Sequence, residues 1–276
     1  MVSEDRKKEL EKKIEKSKEI VRETFSKFNH TNLAITWTGG KDSTLTLWVI
    51  KQVCTEDGIG IPKVMTIDEG DTFPEIHAIL EKYEKEWNLD LEWCSNKDVI
   101  DAAGGVLGED VEIAKLNDIN QIEIRERLKY PGDKFPFEPE SWIGNHLMKT
   151  VVFNDFLARN NIKGIFMCIR WDEQPARKKD DYFVKKKGDE FTPTHTRIQP
   201  ILHFTERDIW DTTKTFNIPY CPLYEQGYRS LGAATTSVKM SDIPAWEQDL
   251  ENTVERAGRR QDKEKAMERL RKLGYM

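Results

Sequence analysis

The chain has 276 residues, 33% charged and 38% hydrophobic, and a formal net charge of −6, so it can bury a real core but offers no global basic field for nucleic acid or an anionic membrane. No apolar run approaches the ~18 residues of a membrane span, and the charged N-terminus is not signal-like. The expectation is a cytoplasmic protein that uses neither membrane nor nucleic acid and holds any nucleotide with local positive groups.

Residues 3–28 are dense in Lys and Glu, with Leu10, Ile14, Val21, Phe25 and Phe28 at roughly helical spacing. They predict an N-terminal amphipathic helix, segment 1–30, packed on the body. Residues 33–37 form a short apolar run, a first strand. Thr38-Gly39-Gly40-Lys41-Asp42-Ser43 comes next, then a helix to about residue 53 whose apolar face carries Leu45, Leu47, Trp48 and Ile50. Two adjacent glycines let the backbone approach a ligand and take positive φ. The unpaired N–H groups at the helix start, the positive end of its dipole and the Lys41 charge together make an anion seat, and phosphate is its usual occupant. The pattern is neither G-x-x-x-x-G-K-[ST] nor G-x-G-x-x-G.

Residues 63–67 predict a second strand ending in Asp68-Glu69-Gly70-Asp71, after which Phe73-Pro74-Glu75 opens a helix. Residues 89–94 predict a third strand. Residues 95–140 are poorly periodic and rich in Gly and Pro, an insertion that is partly helical around 118–129. A helix over 142–160, a fourth strand at 164–168, a polar and basic mobile loop at 171–195, a fifth strand at 198–202 and a helix from Thr205 to Phe216 complete the pattern. The class is α/β, with a parallel five-stranded sheet, helices on both faces and a ligand site at the carboxyl ends of the strands. The nucleotide-binding domain is expected at 31–235 and a C-terminal helical tail at 236–276. The cysteines, Cys54, Cys94, Cys168 and Cys221, form no C-x-x-C pair, so neither a disulfide nor an iron–sulfur cluster is expected.

The loop at 38–43 resembles the pyrophosphate loop S-G-G-K-D-S of the adenine-nucleotide alpha-hydrolase superfamily. Its members include phosphoadenosine phosphosulfate (PAPS) reductases, the small subunit of heterodimeric sulfate adenylyltransferase, and FAD synthases. Residues 68–75 resemble that family's D-T-G…F-P-E element, with Glu69 standing where Thr is usual. Ile169-Arg170-Trp171-Asp172-Glu173, with Arg177 beyond it, resembles G-x-R-x-D-E…R. The densest match is residues 197–232, "RIQPILHFTERDIWDTTKTFNIPYCPLYEQGYRSLG", which resembles R-x-x-P-L-x-x-W-T-x-x-D-I-W, I-P-x-x-P-L-Y and G-[YF]-x-S-[LI]-G in order. On these motifs the chain is identified as a member of the family, which implies a Rossmann-like nucleotide fold.

The reductase branch needs a redox thiol. No E-C-G-[IL]-H segment comes after Cys221, the last cysteine, and Ala233-Ala234-Thr235-Thr236 stands where iron–sulfur reductases carry cysteines. Three segments resemble the sulfate adenylyltransferase small subunit instead: residues 94–104, residues 144–157 and the tail 255–276, where Gly258-Arg259-Arg260 could return basic side chains to the site. The loop "GYRSLGAATTS" also resembles that of FAD synthases. The resemblance implies attack of an anionic acceptor on the α-phosphate of ATP with release of pyrophosphate. Sulfate is the leading acceptor and FMN the next. A reductase-like enzyme using Cys221 and a nucleotide-binding subunit without turnover remain alternatives.

The implied roles fall to named residues. Thr38, Gly39, Gly40, Lys41, Asp42 and Ser43 hold the phosphates, and Asp68 and Gly70 meet adenosine. Lys41, Arg170 and Lys149 balance the developing charge. Arg229, Ser230 and Arg177 hold the acceptor. Mg²⁺ comes with ATP, with Asp42 as its candidate ligand. The chain has no Walker A loop for GTP, so any GTP-driven step falls to a GTPase partner subunit; a homo-oligomer is the other assembly considered. His203, flanked by Phe204, is a packed histidine or an acid/base group.

Overall fold

In the computed structural model, which describes residues 2–174 and 177–258, the alternation of apolar runs and amphipathic stretches becomes strands and covering helices. Helix α1 (Glu4–Lys27) starts at Ser3, whose hydroxyl accepts the Arg6 N–H, and buries Leu10, Ile14, Ile20 and Val21 against α2 and α8. Strand β1 (Leu33–Thr36) leads through the glycine loop into α2 (Lys41–Asp57), which stops at Gly58 in the left-handed region. Then come β2 (Lys63–Ile67), α3 (Pro74–Glu86) with its proline in the first turn, and β3 (Leu91–Cys94).

The insertion holds α4 (Lys97–Ala102), β4 (Asp110–Glu112), α5 (Asp118–Ile122) and β5 (Lys134–Pro136), with β4 and β5 paired antiparallel. It has its own core around Val111, Ile124, Phe135 and Leu147. A helical run continues the chain as α6 (Trp142–Asn145), a wide π-type stretch (His146–Val151) and α7 (Val152–Arg159). A second π-type stretch, Glu123–Arg127, continues α5. The two wide stretches are clipped together in the interior, His146 Nε2 lying 2.8 Å from Glu123 Oε2. After β6 (Gly164–Phe166) come β7 (Phe183–Lys186), β8 (His195–Ile198) and α8 (Glu206–Thr215), the last opened by a Thr205/Asp208 capping box.

The central sheet has the order β3-β2-β1-β6-β8-β7. Every neighbouring pair is parallel except β7 with β8. Among the described residues the sheet is therefore six-stranded, not five-stranded. The extra strand lies inside the segment expected to be a mobile loop. It is a short edge strand carrying Lys185 and Lys186, and lysines blunt an edge while erasing its apolar signature. The fifth strand expected at 198–202 instead occupies His195–Ile198. Pro200 brings no N–H for a ladder, and the chain turns there. One face of the sheet is covered by α1, α2, α3 and α8, the other by α7. The chain runs outward from β1 to β3 and then crosses back to β6, so the order switches between β1 and β6, where open α/β sheets bind ligands. No described helix is long and apolar enough to cross a membrane.

Candidate functional site

At the carboxyl end of β1 the backbone turns on Gly39, φ +71°. A Cβ at Gly39 would sit 3.1 Å from Ile79, so both the conformation and the space select glycine. The Thr38 N–H and hydroxyl both lie 3.2 Å from Ser43 Oγ, which donates to the Gly40 carbonyl at 3.0 Å. These bonds lock the loop into one shape. Gly40 caps α2 without a side chain. Tyr224, brought up from behind, accepts the Lys41 N–H through its hydroxyl at 3.0 Å.

The loop opens onto a cavity of about 410 Å³, within the usual size range of small-molecule sites. Thr38, Gly40, Lys41, Asp42 and Ser43 line one end. Ile76, Leu80 and Trp93 wall it on the α3 side, and Met65, Phe153 and Met167 on the α7 side. Lys149, Thr150, Arg197, Ser230, Glu255 and Arg256 also line it.

Two buried cations dominate the electrostatics. Lys41 is 3% exposed and Arg170 1%. Lys41 Nζ lies 3.2 Å from Asp42 and 3.9 Å from Glu206, and it donates to Glu255. Arg170 donates to Asp42, to Asp172 at 2.9 Å and to Glu255. Asp42 and Glu255 thus each bridge both cations. Burial opposes the charge on Lys41 and Arg170, but the surrounding carboxylates, Asp42 and Glu255 first, outweigh it and raise both pKa values. Burial also opposes ionisation of Glu255, yet Lys41 and Arg170 hold its pKa far below the usual carboxylate range. Glu206 moves upward, from burial first and then the charge of Glu255.

The residues expected at the site divide. Lys41, Asp42 and Arg170 meet in one cluster, with Arg170 standing behind the cavity wall. Lys149 lines the cavity and pairs with Glu69 at 2.8 Å and Glu140 at 3.4 Å. Ser230 lines it too. Arg229 is expected to hold the acceptor but stands outside the lining. Its guanidinium grips Glu206 at 2.7–3.1 Å and reaches the carbonyls of Asp249, Leu250 and Thr253. Arg177 pairs with Glu173 at 2.6 Å, also outside the lining. Asp68 accepts the Gly70 N–H and the Thr72 hydroxyl, a turn-building role. Gly70 takes φ +80°, and the Phe137 ring would meet its Cβ at 3.1 Å. His203 bonds the Lys13 carbonyl away from the cavity, and burial lowers its pKa. Residues 236–258 of the expected helical tail form no α-helix, only the short 3-10 turns Ala245–Glu247 and Glu255–Gly258, with Pro244 and the spread of polar residues breaking any helical face; Arg259, Arg260 and the remainder of the tail lie outside the described residues.

Glu255, Glu206 and Tyr224 escape the sequence reading. Tyr224 lies in the quoted P-L-Y motif, a signal that could have found it. Glu206 reads only as a helix-opening acid, and Glu255 is one of many acids in a charged stretch. All four thiols are pushed up by burial first, Cys54, Cys94 and Cys168 to about 12 and Cys221 to about 11. Among the described residues no group of three or more His, Cys, Asp or Glu is arranged to hold a metal by itself. Asp42 alone faces the cavity from the loop, which fits a Mg²⁺ carried mainly by nucleotide phosphates and water.

The Phosphoadenosine phosphosulfate reductase domain family model matches residues 32–239. A probable FAD synthase of Schizosaccharomyces pombe is 33% identical over 129 residues, 44% of this chain and 48% of that one. A phosphoadenosine 5'-phosphosulfate reductase of Xanthomonas campestris pv. campestris is 33% identical over 88 residues, 32% of this chain and 34% of that one. The matches thus span about half and about a third of those relatives. Among solved structures, the Candida glabrata FMN adenylyltransferase in complex with FAD and inorganic pyrophosphate superposes with a TM-score of 0.65 at 18% identity, covering 95% of this chain and 92% of that one. That likeness is one of fold.

Proposed function

Because the chain belongs to the phosphoadenosine phosphosulfate reductase domain family, we propose that it is an ATP-dependent FMN adenylyltransferase, an FAD synthase. The observation that carries this is the buried Lys41 at one end of a cavity with apolar walls, with Arg170 packed behind it and the one thiol on the lining, Cys168, pushed up to about 12 by burial. The similarity to the Schizosaccharomyces pombe probable FAD synthase supports the same reading.

Sulfate, the acceptor favoured by the tail and the 144–157 helix, loses ground. A tetrahedral anion needs converging cations, and Arg229 and Arg177 are engaged by Glu206 and Glu173. The cavity is also far larger than sulfate needs, and Met65, Phe153, Met167 and Trp93 line it, walls suited to a ring system. A reductase needs a thiolate, and burial pushes all four thiols up, Cys168 on the cavity lining included, which disfavours that form.

In this reading a phosphate oxygen of FMN attacks the α-phosphorus of ATP, the bond from that phosphorus to the bridging oxygen breaks, and pyrophosphate leaves with the electron pair. The loop N–H groups and Lys41 hold the β- and γ-phosphates, and Lys41 and Arg170 stabilise the charge that develops on the leaving group. Asp42 is the carboxylate that would meet a nucleotide-borne Mg²⁺, which would supply charge shielding of the phosphates. No covalent enzyme intermediate is required.

The test is pyrophosphate release from the purified chain under Mg-ATP with FMN, sulfate or no acceptor, with FAD measured by chromatography and Lys41→Ala run alongside. FMN-dependent release with matching FAD, lost in Lys41→Ala, is the expected result. Release that depends on sulfate returns the reading to sulfate adenylylation. ATP binding without release under any acceptor makes the chain a nucleotide-binding subunit.

A further inference from the structure

The carboxylates that neutralise Lys41 and Arg170 come from different places. Asp42 and Asp172 lie beside the cations in sequence. Glu255 is delivered from residues 249–256, close to the C-terminal limit of the described chain. That segment is fastened at two points. Arg229, locked on Glu206, takes the carbonyls of Asp249, Leu250 and Thr253. Arg256 pairs with Glu173 at 3.0 Å. Between them the Glu255 side chain, 10% exposed, reaches the wall of the cavity and bonds both cations.

Two cations buried this deeply carry a large penalty if left without counter-charge. A carboxylate sits where the phosphate loop, Lys41 and Arg170 converge, the place the proposed ATP reading gives to the β- and γ-phosphates. We propose that Glu255 is a built-in competitor for the pyrophosphate end of the nucleotide: it holds Lys41 and Arg170 when no phosphate is seated, yields them to ATP, and returns to them as pyrophosphate departs. The inference rests on the ATP reading but not on the identity of the acceptor.

The device has a selective consequence. A ligand that uses the seat must displace Glu255, so its apparent affinity falls by the fraction of molecules in which the seat is open. ATP and pyrophosphate both bear that reduction. AMP has no β- or γ-phosphate to place there and does not.

Calorimetric binding of ATP, pyrophosphate and AMP to the wild-type chain, Glu255→Gln and Glu255→Asp, with no acceptor present, tests this. Glu255→Gln is expected to bind ATP and pyrophosphate at least about fivefold more tightly. Glu255→Asp, shorter by one methylene, is expected to fall between. AMP is expected to stay within about twofold. Thermal unfolding establishes that each variant is folded, and if Glu255→Gln is not, Glu255→Asp carries the comparison. Equal or weaker binding of ATP and pyrophosphate in the folded variants overturns the proposal, as does an equal gain for AMP. A chain that shows the expected tightening but never forms FAD keeps Glu255 as competitor and loses FMN as acceptor. A wild-type chain and variants that bind neither ATP nor pyrophosphate overturn both.

Discussion

Lys149 Nζ lies 2.8 Å from a carboxylate oxygen of Glu69, and both side chains line the cavity. Glu69 stands where the family usually has Thr, an added negative charge beside the proposed polyphosphate site. The pair resolves the conflict, since Lys149 meets the extra charge locally. Removing the lysine alone would leave Glu69 facing the phosphates. Lys149→Ala is therefore expected to weaken ATP binding about tenfold. The double variant Lys149→Ala/Glu69→Thr should recover part of that loss, a coupling that a calorimetric double-mutant cycle reads directly. Additive losses would mean that the two residues act independently.

The two loop glycines should fail in different ways. Gly39 has positive φ and no room toward Ile79, so Gly39→Ala is expected to cost about 1–3 kcal/mol of folding stability. Gly40 has φ −74°, and its Cβ would come no nearer than 3.4 Å to Thr38 Oγ1. Gly40→Ala should fold normally and lose ATP affinity, because the added methyl crowds the hydroxyls of Thr38, Tyr224 and Ser43, all three on the cavity lining. Urea unfolding beside ATP titration separates the two, and a destabilised but binding-competent Gly40→Ala would contradict the assignment.

Arg229 acts on the fold. Its loss leaves Glu206 buried with Lys41, 3.9 Å away, as its remaining ion-pair partner among the described residues and unties residues 249–253. Arg229→Ala is expected to cost about 3–5 kcal/mol in urea unfolding. If unfolding is unchanged while acceptor binding disappears, Arg229 belongs at the acceptor after all.

The thiols give a pH prediction. Each has a pKa raised to about 11 or about 12, so the charged, reactive form appears only as pH rises toward that range. At pH 7.5 roughly one molecule in a few thousand or fewer carries a thiolate at any one site. Alkylation by iodoacetamide, monitored by mass spectrometry, should run roughly a hundredfold slower than for free cysteine and climb with pH. Fast labelling of Cys221 at neutral pH would reopen the reductase alternative.

The glycine turn at residues 38–43 was legible because its shape is set locally. Adjacent glycines and a lysine between an apolar run and an amphipathic one leave few other structures for the backbone. The strands β1 and β2 and the Thr205 cap were readable for the same reason. Strand β7 was not, since its four residues at a charged edge carry no alternating pattern. The fates of Arg229 and Glu255 were not legible either. A long charged side chain reaches any of several partners, and the choice of Glu206 over an acceptor, or of Lys41 and Arg170 over solvent, is made by tertiary packing that the motif spacing does not encode.

The clip between His146 and Glu123 joins the two wide helical stretches, and one of them contains Lys149 and Thr150, residues that line the cavity. A wide turn is in effect one residue too many for its helix, and it re-aims the helix on its N-terminal side relative to the helix on its C-terminal side. Removing Thr150 or Val151 would restore an ordinary helix and swing the part upstream of the deletion, Lys149 included, by about 100° about its axis. Lys149 would then turn away from Glu69, and the insertion would be carried round with it. The length of this stretch works as an alignment shim: the side chains on one wall of the cavity are aimed by a residue count.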